Sequence, residues 1–297
     1  MDRAAGVRAA HKSAHVDTGR APRKARARRG GELPRYHRPP AERRPRPSFA
    51  VVDAARCLTE KMKNIFDAVY IINLPTRTDR RREMIEQLAL AGLDASDPRV
   101  IFFDAVRPAD AGGFPTIGTR GCFMSHLGVL QRARAAGHRR ILILEDDVNF
   151  IKDFQPAFAR LVPRLEQPDW GMTYLGALGV QPPFDAPAPA GVMPPSSAVM
   201  GTHMLALQST AIAAAIAYLE AMLQRPAGDP AGGPMHVDGA YSWFRNAHPE
   251  IATLLCAPAL GYQRPSRTDI HDVKWFDRTP VVRDIVQALR KAKAAAR

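Results

Sequence analysis

Residues 145–147 of the chain read Glu-Asp-Asp, directly after the apolar run Ile141-Leu142-Ile143-Leu144. Adjacent carboxylates repel, and each raises its neighbour's pKa unless a cation sits among them. A divalent cation removes that cost. Hard oxygen ligands suit magnesium or manganese, and those ions in turn hold a diphosphate. The alternative is a strand running into a solvated acidic loop. Strict strand alternation would send Glu145 and Asp147 to one side and Asp146 to the other. Asp147 is the first metal candidate and Glu145 the second, with Asp146 left to hold a ribose or orient the loop.

The elements around the acids follow from hydrophobic pattern. "AVYIINL" (68–74) is a short continuous apolar run, as buried strands are, and Pro75 ends it. "TDRRREMIEQLALAGL" reads as a helix with Asp79 as N-cap and Gly92 as its stop. "RVIFFDAV" (99–106) is a second strand. After a Gly/Pro-rich loop, "CFMSHLGVLQRARAAG" is a second helix ending at Gly137, and "RRILILEDDV" is a third strand. Strand and helix alternate and the strands are apolar throughout, which predicts an α/β fold with a parallel sheet covered on both faces. Ligands bind such sheets beyond the carboxyl ends of the strands, and Glu145–Asp147 lie at such an end. Further strands are expected over 170–178 and at "GTHMLALQ", and an Ala-rich helix follows from a cap at Ser209 or Thr210. The Pro-rich stretch "QPPFDAPAPAGVMPPSS" reads as a long binding loop or lid.

Several side chains near the acids could act on a ligand. Ser125 and His126 lie near the expected start of the second helix, where an N-terminus favours an anion; a packed core histidine is the alternative. Asp238, in "MHVDGAYSW", could act as general base on an incoming hydroxyl or serve as a helix cap. The carboxylates do not form a two-component receiver site: at least two strand–helix units precede them, and the later strand "MTYLGAL" ends without an Asp.

Charge and composition divide the chain. The formal charge is +13, but residues 1–61 hold 16 Lys/Arg against 6 Asp/Glu and the remainder is nearly balanced. The Arg/Pro/Gly-rich tail 1–61 cannot bury enough surface to offset chain entropy and is expected to be disordered, with Met62 as an alternative start. The nearly neutral body argues against specific nucleic-acid binding. Three widely spaced cysteines make neither a disulfide framework nor a zinc pattern, and no secretory or membrane-spanning stretch stands out, so a cytoplasmic protein is expected. Residues 279–297 form an amphipathic basic helix that fits either the protein's own core or an anionic membrane surface.

The blocks "VYIINLPTRTDRRREM", "GTRGCFMSHLGVLQRA", "RILILEDDVNF", "GTHMLAL", "HVDGAYS" and "LGYQRPSRTDI" occur in this order between residues 66 and about 272. Together they resemble glycosyltransferase family 25, the lipopolysaccharide-biosynthesis and collagen galactosyltransferases. The resemblance implies a GT-A-like fold with a mostly parallel central sheet, forming a glycosyltransferase domain over 62–278. It also implies a metal-dependent hexosyl transfer, galactose favoured, from a UDP-type nucleotide-sugar donor to a saccharide or lipopolysaccharide-type glycolipid acceptor. Manganese, or magnesium, is the implied cofactor, with Glu145, Asp146 and Asp147 in the place of the family's acidic metal motif. Asn73, Arg77 and Arg80 would border the nucleotide pocket. His271, on the segment after the last motif, would complete the metal shell as closing C-terminal segments do in many GT-A enzymes. Ala105, Thr119–Arg120 and Met204–Leu205 depart from the family pattern near the expected donor and acceptor positions. The competing expectation is a non-catalytic, nucleotide-sugar-binding relative used for assembly.

Overall fold

In the structure, a computed structural model, residues 62, 64–178 and 189–264 are described. The expected alternation is present. Strand β1 (Ala68–Asn73) leads to helix α1 (Thr78–Leu90), β2 (Val100–Asp104), α2 (Ile117–Ala135) and β3 (Arg140–Glu145). Then come β4 (Val148–Phe150), α3 (Phe154–Leu165), β5 (Met172–Leu178), β6 (Ala190–Val192) and β7 (Met200–Gln208). Helices α4 (Ser209–Leu223) and α5 (Val237–Ala247) precede β8 (Thr253–Cys256) and β9 (Gly261–Gln263). The basic tail, residues 181–188 of the lid candidate 181–197, His271 and the expected C-terminal helix lie outside the described residues, and the rest of the lid candidate carries β6.

Seven strands form one sheet in the order β2-β1-β3-β7-β5-β8-β6. β1 pairs in parallel with β2 and β3, and β5 with β8, while β7 and β6 run against their neighbours. The sheet is thus mostly parallel, as expected, with one reversed strand set into its middle. Strand periodicity divides the core in two. Val69, Ile71, Leu142 and Leu144 face one side with α1 and α3, and Tyr70, Ile72, Ile141 and Ile143 face the other with α2, α4 and α5. These strands are apolar on both sides because helices cover both faces.

Helix starts differ from the sequence reading. Arg77, not Asp79, precedes the first turn of α1, and Asp79 sits inside that turn, where its carboxylate accepts from Arg77 Nε and Nη2 at 3.0 and 2.9 Å. Helix α2 begins at Ile117, where Thr116 caps it by accepting from the Thr119 backbone N–H at 3.0 Å. Ser125 and His126 therefore lie in its interior and cannot use its N-terminal dipole, which falls off within the first turn. Helix α4 begins after Gln208 without a side-chain cap, so neither Ser209 nor Thr210 fills that role. The strands β4 and β9 pair antiparallel beside the main sheet. At three residues each, they are too short to leave an alternation signal.

Candidate active site

The chain turns from β1 to β2 on one side and to β3 on the other, so the strand order reverses at β1. The crevice at such a reversal is where open α/β sheets take ligands. Asn73 pairs with Asp104 and Ile72 with Glu145, which brings the carboxyl ends of three strands to one edge. A cleft of about 320 Å³ opens there, within the range of small-molecule sites. Arg77, Arg80, Arg107, Cys122 and all three acids are among its lining residues. The first turn of α2 faces it through Ile117, Gly118 and Gly121. Gly121 is needed for this approach, since a Cβ there would meet the Val106 carbonyl oxygen at 2.7 Å.

The acids do not alternate, because β3 ends at Glu145 and Asp146–Asp147 lie in a turn. Asp146 has both oxygens committed: Oδ1 to Arg80 Nη1 at 2.6 Å and Oδ2 to Asn73 Nδ2 at 2.7 Å. Asp147 shares the same guanidinium at 3.4 Å, so Asp146 and Asp147 flank one cation. Asp147 Oδ2 also accepts from Gln263 Nε2 at 3.3 Å, but its Oδ1 is buried without a hydrogen-bond partner. Burial, then the neighbouring Glu145, pushes the Asp147 carboxyl up to about 7 against the pull of Arg80. Glu145 shifts the other way. Burial alone would raise it, but His126 at 3.4 Å and the Thr202 hydroxyl at 2.6 Å hold it below its ordinary value.

The other expected residues divide. Asn73, Arg77, Arg80, Ser125, Asp146 and Asp147 meet at the cleft edge or its wall. Ser125 Oγ accepts from the Val106 backbone N–H at 2.8 Å and donates to the Gly121 carbonyl at 2.6 Å, which fixes the loop after β2 to α2. His126 is fully buried behind Glu145, its ring against the edge of Tyr241. Asp238 sits in the first turn of α5, with His236 in the cap position. It accepts from the backbone N–H groups of Gly201 at 3.2 Å and Gly239 at 2.8 Å, so it ties α5 to the start of β7. Gly201 has φ +82°, a backbone that L side chains rarely adopt.

Four residues of the site were not singled out from sequence: Thr202, His203, Gln263 and Arg264. Thr202 holds Glu145, and burial lowers the pKa of His203 just beneath it. Arg264 donates to Glu83 at 2.8 Å, to the Asp146 carbonyl at 3.0 Å and to Asn149 at 3.2 Å, and its own N–H reaches the Asp147 carbonyl. The signals were the blocks "GTHML" and "GYQR", whose polar residues interrupt otherwise apolar strands.

Comparison with known proteins agrees with the geometry. Residues 66–174 match the family described as Glycosyltransferase family 25 (LPS biosynthesis protein). This segment, which carries the cleft and all three acids, is similar to that family. Human "Inactive glycosyltransferase 25 family member 3" is 33% identical over 135 residues, covering 39% of this chain and 23% of that protein. Human "Procollagen galactosyltransferase 2" is 26% identical over 134 residues, 39% of this chain and 21% of the relative. The chain thus spans about a quarter of the length of the curated relatives it matches. A crystal structure of a glycosyltransferase involved in glycosylation of the major capsid of PBCV-1 aligns at TM-score 0.31 and 11% identity, over 64% of this chain and 94% of that one. Among the described residues no helix is long and apolar enough to cross a membrane.

Proposed function

We propose that the chain transfers a sugar, galactose favoured, from a UDP-type nucleoside-diphosphate donor to a hydroxyl of a saccharide or lipopolysaccharide-type acceptor, using manganese or magnesium. The observation that carries this reading is the buried, unpartnered Oδ1 of Asp147 at the cleft edge. A buried carboxylate oxygen without a donor is costly, and a hard cation is the partner it fits. Asp147 would hold the ion first and Glu145 second. A cation bound there stabilises negative charge on the departing diphosphate as a Lewis acid.

The remaining work falls to the chain's own groups. Asp146, saturated by Arg80 and Asn73, keeps the acid turn rigid and orients Asp147. The α2 start at Ile117 and Gly118 and the Arg107 side chain line the cleft, and a helix start and a guanidinium suit phosphate oxygens. Asp238 is the base assigned to the acceptor hydroxyl. Each of its oxygens accepts one backbone N–H and keeps a second acceptor site.

A second reading has specific support: a non-catalytic binder of nucleotide sugars. Relatives named inactive match the chain at up to 33% identity, and the Asp238 carboxylate is already engaged by backbone. A panel of UDP-sugars with manganese, read as UDP release, separates the two. Release with one donor, stimulated by an acceptor saccharide, supports transfer. Manganese-dependent binding with no release across the panel supports the binder.

A further inference from the structure

We propose that Cys122, His126 and Glu145 form a second cation site at the floor of the cleft, built for zinc rather than for a hard ion. One thiol sulfur, one imidazole nitrogen and one carboxylate oxygen from these residues lie within 4.8 Å of one another. The arrangement follows from two elements. Cys122 and His126 are four residues apart on α2, so they share one face of the helix. Glu145 ends β3 opposite that face.

The histidine supplies the independent sign of a missing partner. His126 is 0% exposed, its Nδ1 has no partner, and its Nε2 meets only the Glu145 carboxylate, outside good hydrogen-bond geometry. Its nearest acid atom, Glu145 Oε1, lies 3.4 Å from Nε2, long for a hydrogen bond. A fully buried imidazole with one nitrogen unpartnered and the other loosely paired is costly unless it meets a ligand. Thr202 donates to Glu145 at 2.6 Å from behind, the kind of outer contact that orients a metal-bound carboxylate.

The donor set points to the ion. Sulfur and imidazole select borderline-soft ions such as zinc, whereas all-oxygen sets suit manganese and magnesium. With zinc–ligand distances of about 2.0–2.3 Å, the three donors must draw together by roughly 1 Å. Glu145, with a 15% exposed side chain against 0% for His126, is the ligand with more room to move. Cys122 and Glu145 both line the cleft while His126 closes the rear, so the fourth position opens into the cleft. Three protein ligands and one open position are the pattern of reactive rather than purely structural zinc. Binding replaces the thiol S–H bond with a sulfur–metal bond and releases one proton per ion. The proposal does not depend on sugar transfer, since a binder and an enzyme would hold this ion alike.

Cobalt(II) titration of the full chain tests it, because thiolate–cobalt bonding gives a near-ultraviolet charge-transfer band. One equivalent of cobalt should develop the band, zinc should displace it, and one proton should be released. Cys122→Ser should lose the band, while Cys256→Ala and Cys57→Ala keep it. Glu145→Gln and His126→Gln should weaken cobalt binding at least tenfold, since loss of even an outer contact of a metal ligand costs about 10–100-fold, which covers the case in which Cys122→Ser fails to fold. No band in the wild-type chain, or a band that survives in Cys122→Ser, overturns the proposal and leaves an ion pair beside a thiol.

Discussion

The two ends of the sheet treat polar side chains differently. The β1–α1–β2–α2–β3 half lines the cleft: its lining residues run from Ile72 to Asp147. Among the described residues, the later half contributes none of them. It braces from below, through Thr202 on Glu145, Gln263 on Asp147 and Arg264 on the backbone of the acid turn. The first half thus presents the cleft-facing groups, some left unsatisfied, and the second, apart from the acceptor-side Asp238, spends its polar groups on holding those in place. Binding and bracing come from segments more than fifty residues apart, so damage to each should look different.

The largest effect is expected at Arg80, the cation between Asp146 and Asp147. Arg80→Ala leaves two buried carboxylates facing each other and should destabilise the chain by about 3–5 kcal/mol. Manganese should restore part of that loss, visible as a larger manganese-dependent rise in Tm than the wild type shows.

Asp147→Asn should act in the opposite direction on stability. The folded Asp147 carboxyl titrates at about 7, against an ordinary 3.8. Its contribution is therefore fully present below about pH 4 and is lost as pH rises through about 7. Without metal, Asp147→Asn should be the more stable form at pH 8, by on the order of 2–4 kcal/mol, and should flatten the stability decline between those values. Glu145, whose pKa is lowered, contributes in the other sense, with stability lost only as pH falls below its ordinary 4.5. Urea melts from about pH 2.5 to about pH 8 check both signs. A manganese-free Asp147→Asn less stable than wild type at pH 8 would contradict the burial argument.

Two bracing variants should be milder. Arg264→Ala removes contacts to Glu83, Asn149 and the Asp146 carbonyl, and about 2 kcal/mol of stability with them. It should also weaken manganese binding, because the acid turn loses its strap. Thr202→Val keeps the shape and removes one hydrogen bond to Glu145, costing about 1 kcal/mol. If Thr202→Val cost more than Arg80→Ala, the division into ligand-facing and bracing halves would be wrong.

The same division explains what could be read from sequence. The first half was legible because its strands are apolar on both sides and its helices are spaced by clear stops at Gly92 and Gly137. The acids stood out because nothing in an apolar strand requires them. The start of α2 was missed by five residues, since Thr116 caps it through a local contact inside a Gly/Pro-rich stretch. The reversed β7 was not legible: a strand buried on both faces shows no mark of its direction. Nor were Gln263 and Arg264, whose contacts with the acid turn span more than a hundred residues and depend on the three-residue pair β4–β9. Alternation misplaced Asp146 because β3 stops one residue before it.

The account rests on a divalent cation held at Asp147 that in turn holds a nucleoside diphosphate. Calorimetric titration of UDP into the full chain, with manganese and with chelator, in wild type and Asp147→Asn, tests this most directly. The account predicts binding that needs manganese and is lost in Asp147→Asn, whose fold remains intact by circular dichroism. UDP binding of equal affinity in chelator, or undiminished in Asp147→Asn, would contradict it.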